Sequence, residues 1–168
     1  MKYFTPELYV RLQRLDPRVM DAADAQWEQA GERYERRLKS IRSKLPPSAL
    51  AMLGQTRLHD AEVLWIGHAL PFFAILLRLD AAPRTTIGLN YFVVEPARFD
   101  EGTIPAEFCG SPMQWMYDEI DLGAEAHSFK HSILFSNGCH LELAAREVHV
   151  ANFDTVYSGS NGGVVVSS

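Results

Sequence analysis

A chain of 168 residues that is 47% hydrophobic, with 3 Trp, 6 Tyr and 9 Phe, carries enough apolar content to bury the core of one ordinary domain. That content excludes a globally disordered chain. The formal net charge of −5 argues against a general nucleic-acid binder, which carries a basic excess.

The opening Met1-Lys2-Tyr3-Phe4-Thr5-Pro6-Glu7 lacks the apolar run and small-residue cleavage site of a secretory signal. Thr5-Pro6 and Asp16-Pro17 both read as helix starts, a capping side chain followed by proline at the first helical position. Trp27, Ala30, Tyr34, Leu38, Ile41 and Leu45 then recur at helical spacing, which predicts one long amphipathic helix over 17–44. Pro46-Pro47 stops it, and a short helix over 48–53 follows, closed by Gly54.

Beyond residue 58 the period changes from helical to alternating. Val63–Ile66 reads as a short strand; Phe73, Ile75, Leu77 and Leu79 form one alternating run, and Ile87, Leu89, Tyr91 and Val93 another. A turn near 82–84 makes these two a hairpin. The stretch Ala69–Leu79 is too short and too charged at its end for a membrane span. Residues 95–113 read as a long irregular segment.

The next hairpin can be read to its register. Phe129, His131, Ile133 and Phe135 share a face, as do Cys139, Leu141 and Leu143. Only a three-residue loop, Ser136-Asn137-Gly138, sets Ile133 opposite Leu141 and keeps both faces consistent, with Gly138 left-handed. Val148 and Val150 continue as strand. The organisation expected is a helical segment over 1–58, the sheet portion of the same domain over 59–154, and a loosely ordered tail over 155–168.

Charge divides along the same boundary. Residues 1–58 hold 11 Lys/Arg and 7 Asp/Glu, a net of +4, whereas residues 59–168 hold 5 and 14, a net of −9. Arg33, Arg36, Arg37 and Lys44 fall within about a 100° arc of the long helix. This basic face is solvated or docks an acidic surface, the β half of a second copy included. Asp118, Glu119 and Asp121 form an acidic strand edge, expected to be solvated and to discourage edge pairing. With Trp115 and Tyr117 they make an aromatic–acidic patch suited to a basic protein partner.

Candidate chemistry is sparse. His59-Asp60 suggests the metal-binding pair of helical phosphohydrolases, but residues 1–58 contain no further histidine. A structural role at the helix-to-sheet handover is expected instead. His127 and His131 have the spacing that chelates zinc on a helix, yet on a strand they stand about 13 Å apart, too far to share an ion. Neither Cys109 nor Cys139 sits in an activating environment, and both are expected as buried thiols. No nucleophile elbow, phosphate loop or dinucleotide fingerprint is present, so no catalytic residue, metal or cofactor is assigned.

Met1-Lys2-Tyr3-Phe4-Thr5-Pro6-Glu7-Leu8-Tyr9 and Leu58-His59-Asp60-Ala61-Glu62-Val63 resemble segments of uncharacterised bacterial proteins grouped as a domain of unknown function. Trp115-Met116-Tyr117-Asp118-Glu119 and His131-Ser132-Ile133-Leu134-Phe135-Ser136-Asn137-Gly138 resemble the same group. The resemblance implies a cytoplasmic bacterial α+β protein with no assigned activity, and small domains of this sort recur among immunity-type proteins that neutralise a partner.

The fold expected is α+β, with N-terminal helices packed on a mainly antiparallel sheet of about five to six strands. Two functions compete. One is a non-enzymatic protein-binding, immunity-like module using the patch around Trp115–Asp121 or self-association, with neither nucleic acid nor membrane as partner. The other is a small hydrolase-like or metal-dependent enzyme with its site near His59 and Asp60.

Overall fold

Thr5 and Asp16 each start a helix as their sequence context dictates. The Thr5 hydroxyl accepts the backbone N–H of Leu8 at 3.3 Å at the head of α1 (Pro6–Leu12). The Asp16 carboxylate accepts that of Arg18 at 2.9 Å at the head of α2 (Pro17–Ile41). A single 3-10 turn, Arg42–Lys44, extends α2 to the expected stop. The third helix, α3 (Pro47–Gln55), runs through Gly54 instead of ending there. The computed structural model describes residues 1–55, 58–69, 72–80, 85–101 and 104–153. The turn expected at 82–84 and the tail expected over 155–168 lie outside them.

Seven strands follow among the described residues: β1 (Glu62–Ala69), β2 (Phe72–Arg78), β3 (Thr86–Val93), β4 (Arg98–Asp100), β5 (Trp115–Leu122), β6 (Phe129–Phe135) and β7 (His140–Phe153). The fold is therefore α+β, as the two periodicities require. The short β4, which pairs with β7, interrupts a segment expected to be irregular throughout. The main order is β1-β2-β3-β7-β6-β5, with every pair antiparallel.

The two ends of this order meet. Asp60 N–H donates to Trp115 C=O at 2.8 Å, Trp115 N–H to Ala61 C=O at 2.8 Å, and Val63 N–H to Met113 C=O at 2.9 Å. The sheet thus curls into a partly closed barrel, with its seam limited to the start of β1.

The inner face holds the core. Phe73, Ile75 and Leu77 of β2 meet Ile87, Leu89 and Tyr91 of β3, and these pack with Phe129, Ile133, Leu141 and Leu143. Ile41, Leu45, Ala49 and Met52 complete the same cluster from the end of α2 through α3. Of the stripe expected on α2, Ala30 and Ile41 are fully buried.

The outer face is treated unequally. Over β5 and β6 it is sealed, with Tyr9 and Val10 of α1 burying Leu134, while Leu8, Ala23 and Ala30 join α1 to α2. Over β1–β3 no helix among the described residues covers it; Trp65 and Phe72 remain 54% and 52% exposed.

The β6–β7 hairpin has the register that its alternation demands: Ile133 faces Leu141, and Phe135 N–H donates to Cys139 C=O at 3.0 Å. Gly138 sits at φ +85°, where a Cβ would also come within 2.9 Å of Ile104. Gly138→Ala is expected to destabilise the protein by about 1–2 kcal/mol, the cost of a left-handed side-chain-bearing residue. A lower urea midpoint at unchanged m-value is the measurement that checks it.

Candidate functional site

Five of the residues nominated by sequence lie on β5, and a bulge decides where each of them points. Trp115 pairs with Phe135 and Tyr117 with Leu134, so Met116 is an extra residue. A regular strand would keep Trp115, Tyr117, Glu119 and Asp121 on one face. The bulge instead turns Trp115, Asp118 and Ile120 inward and leaves Tyr117, Glu119 and Asp121 on the outer side.

Inside, Asp118 anchors a polar chain in the apolar core. Its carboxylate accepts the Trp115 indole N–H at 3.1 Å and lies 3.1 Å from His131 Nε2; His131 Nδ1 in turn lies 3.0 Å from the Tyr91 hydroxyl. Burial pushes the Asp118 carboxyl up, but the hydrogen bond and charge of His131, with the bond from Trp115, outweigh it and hold the group below its ordinary value. An ionised carboxylate only accepts, so His131 Nε2 carries the shared proton. Burial keeps the Tyr91 hydroxyl protonated well beyond its usual range. His131, Tyr91 and Trp115 have no exposed surface. The Asp118 side chain is 27% exposed, so the chain specifies the core from a partly solvated end.

Outside, each remaining group holds part of the helical layer. Glu119, 7% exposed, accepts three backbone N–H groups from the first turn of chain: Lys2 at 2.7 Å, Tyr3 at 2.6 Å and Phe4 at 2.7 Å. Ile120 N–H donates to the Tyr34 hydroxyl of α2 at 2.7 Å. Arg37 grips Asp121 through Nε at 3.1 Å and a terminal nitrogen at 2.5 Å. Tyr117 packs against Trp27 at 4.2 Å, Phe4 at 5.9 Å and His59 at 5.1 Å between ring centroids.

These contacts correct the reading of β5 as a solvated acidic edge. Asp118, Glu119 and Asp121 all have partners within the chain. Trp115 is a core residue rather than a surface aromatic, because the Met116 bulge reverses its direction. Arg37 likewise leaves the basic arc of α2 to bind Asp121. Arg33, Arg36 and Lys44 stay exposed, with Arg36 3.5 Å from Glu32.

His59 and Asp60 occupy the turn before β1. Their side chains pair with each other at 2.8 Å, about half exposed. Asp60 borders a small cleft with Glu62, Arg78, Asp80 and Gln114. Among the described residues no group of three or more His, Cys, Asp and Glu is arranged to hold a metal ion. Lys44 borders an open cleft of about 770 Å³ with Ser48, His127 and Arg146 between the start of α3 and β7. His127 precedes β6 and His131 lies within it, so the two belong to different local structures.

Sequence reasoning passed over the outer face of β1–β3. Cross-strand pairing aligns Trp65 with Leu76, Gly67 with Ala74, and Phe72 with Phe92, all on the side away from the core. Phe72 and Phe92 meet edge to face at 5.6 Å. The Trp65 ring lies over Gly67, where a Cβ would come within 1.5 Å of it. The unbroken apolar run Phe72–Leu77 carried the signal, since a strand apolar on both faces is expected to be covered on both. No protein-family profile, curated protein or solved structure matches the chain.

Two outcomes follow from β5. Glu119→Ala strands three N–H groups and is expected to cost about 3 kcal/mol or more, with amide exchange at residues 2–4 accelerating before the global rate changes. Asp118 and Asp121 are both more acidic in the folded chain than in the unfolded one. Their contribution is full above the ordinary carboxylate range near pH 4 and is lost as pH falls through their lower folded values. Asp121→Asn is expected to flatten the acid limb of a stability–pH curve and leave the neutral region nearly level.

Proposed function

We propose that the protein acts by binding another protein, and that the contact surface is the uncovered outer face of β1–β3. Three large aromatics on that face, Trp65, Phe72 and Phe92, are 54%, 52% and 36% exposed, while the other half of the same sheet is sealed by helices. Exposed aromatic groups gathered on a rigid surface are what interfaces are made from.

Charge supports a basic partner. Residues 59–168 carry a net −9. At one end of the β1–β2 hairpin Asp60, Glu62 and Asp80 surround the single Arg78; at the other, Glu147 stands opposite Phe92. An apolar centre with acidic ends suits a basic protein whose own contact patch is apolar. The resemblance to uncharacterised bacterial proteins adds an immunity-type role in the cytoplasm, in which binding neutralises the partner. An enzymatic site at His59 and Asp60 is the weaker reading, because those two side chains are engaged with each other at 2.8 Å.

The test is a reconstituted complex. The wild-type chain is expected to co-purify a basic protein that re-forms a stoichiometric complex from purified components and weakens as salt screens the acidic ends. A Trp65→Thr, Phe72→Thr, Phe92→Thr variant, which preserves strand propensity, is expected to lose that complex by at least about 100-fold. Undiminished binding by the folded variant would remove the face from consideration.

A further inference from the structure

Lys44, His127 and Arg146 come from three places in the chain: the 3-10 turn after α2, the turn before β6, and β7. All three line the cleft of about 770 Å³ beside the start of α3. Among the described residues neither Lys44 nor His127 has a side-chain hydrogen bond or ion pair. Arg146 commits one terminal nitrogen to Glu125 at 2.8 Å and is otherwise open. The Ser48 hydroxyl accepts the Val148 N–H at 3.2 Å, which leaves its own hydrogen to donate. Glu147 is the one carboxylate in the lining among the described residues, and it lies 3.2 Å from His149 Nε2. His127 sits at φ +58°, a left-handed conformation that glycine or asparagine fills at lower cost.

The surface leading to the cleft has the same sign. Residues 16–32 hold five Asp/Glu and one Arg, a net of −4, whereas residues 33–44 hold six Lys/Arg and Glu35 alone, a net of +5. This division follows the helix macrodipole, which accounts for the charges of α2. It does not account for His127 and Arg146, which join them from the sheet. Arg37 is held by Asp121 and Arg36 by Glu32. Among the described residues Arg33, Lys39, Arg42 and Lys44 are exposed and have no ion-pair partner. In a chain of net charge −5 they form a concentrated cationic strip, and it ends in a concave site that focuses its field.

We infer that this cleft binds a small organic phosphate monoester, with the phosphate among Lys44, His127, Arg146 and Ser48 and a ring resting on Pro46 and Pro47. A phosphate offers three terminal oxygens to these donors, and the planar arginine fork matches it. The volume falls within the range of small-molecule sites, about 300–1,000 Å³, and exceeds what a bare ion fills. Leu45 and the two prolines supply the apolar wall that an organic body needs. The site shares no residue with the Trp65, Phe72 and Phe92 face, so it stands apart from the binding reading above.

Amide NMR spectra of the full chain titrated with phenyl phosphate test the site. The wild type is expected to bind saturably with a Kd on the order of 1 mM, with shifts concentrated at residues 44–48, 127 and 146. Inorganic phosphate lacks the ring and benzoate lacks the phosphate; both are expected to bind at least about fivefold more weakly. Lys44→Gln and Arg146→Gln, at exposed positions, are each expected to weaken phenyl phosphate binding about tenfold. His127→Asn, which suits the left-handed turn, is expected to weaken it about threefold. Arg18→Gln removes the same charge more than about 30 Å away along α2 and is expected to change nothing. No saturable shift up to about 10 mM, or equal affinity for benzoate or inorganic phosphate, overturns the inference. So does wild-type affinity in Lys44→Gln and Arg146→Gln, or an equal loss in Arg18→Gln, which marks attraction to net charge alone.

Discussion

Glu119 is the carboxylate on which the helical layer depends. Backbone N–H groups removed from water require acceptors, and Glu119 supplies one acceptor group to three consecutive donors at Lys2, Tyr3 and Phe4. With those residues held, Thr5 is in position to cap α1, and α1 can lay Tyr9 and Val10 over Leu134. Phe4 then closes the aromatic cluster of Trp27, Tyr34 and Tyr117 that joins α2 to β5. The Arg37–Asp121 pair lies across the same junction, but both side chains are about one-third exposed, so it contributes at most about 1 kcal/mol. The opposite charges of the two halves orient the contact, and buried hydrogen bonds and rings hold it.

What could be read from the sequence follows from how local each constraint is. The start of α2 at Pro17 and the β6–β7 register both rest on a few neighbouring residues: Asp16 before a proline, and Gly138 between two alternating runs. The site on β5 was not legible in the same way. Its residues were identified, but the direction of Trp115 turns on the bulge at Met116, and nothing in Trp115-Met116-Tyr117 marks a bulge. The acceptor role of Glu119 was hidden for a different reason. Its donors are backbone groups 115 to 117 positions away, and a backbone N–H carries no residue identity from which to infer a contact.

The sheet itself links architecture to function. Its inner face is filled from every strand of the main order, whereas its outer face gathers large exposed aromatics over β1–β3 and is covered by helices over β5 and β6. Helices α1 and α2 seal β5 and β6, and the chain provides no equivalent for β1–β3 among the described residues. Trp65 folded over Gly67 and the Phe72–Phe92 pair show the uncovered half packing within its own surface. Side chains already packed in this way would lose little conformational entropy if another surface covered them.

The central place of β7 has a consequence for the order in which the molecule is made. β7 joins the β1–β3 meander to the β5–β6 hairpin, yet it is the last of the seven described strands to emerge from the ribosome. About 60 residues separate the end of β3 from the end of β7, roughly 3–12 s at ordinary elongation rates of about 5–20 residues per second. During that interval β3 exposes the edge that β7 will occupy, and Leu89 and Tyr91 lack their partners Val150 and Val148. Nascent chains are therefore most open to chaperone capture, or to mispairing with chains on adjacent ribosomes, in that window. Slower translation across residues 94–139 would lengthen the exposure, so the rate at which this stretch is decoded bears on yield independently of the stability of the finished fold.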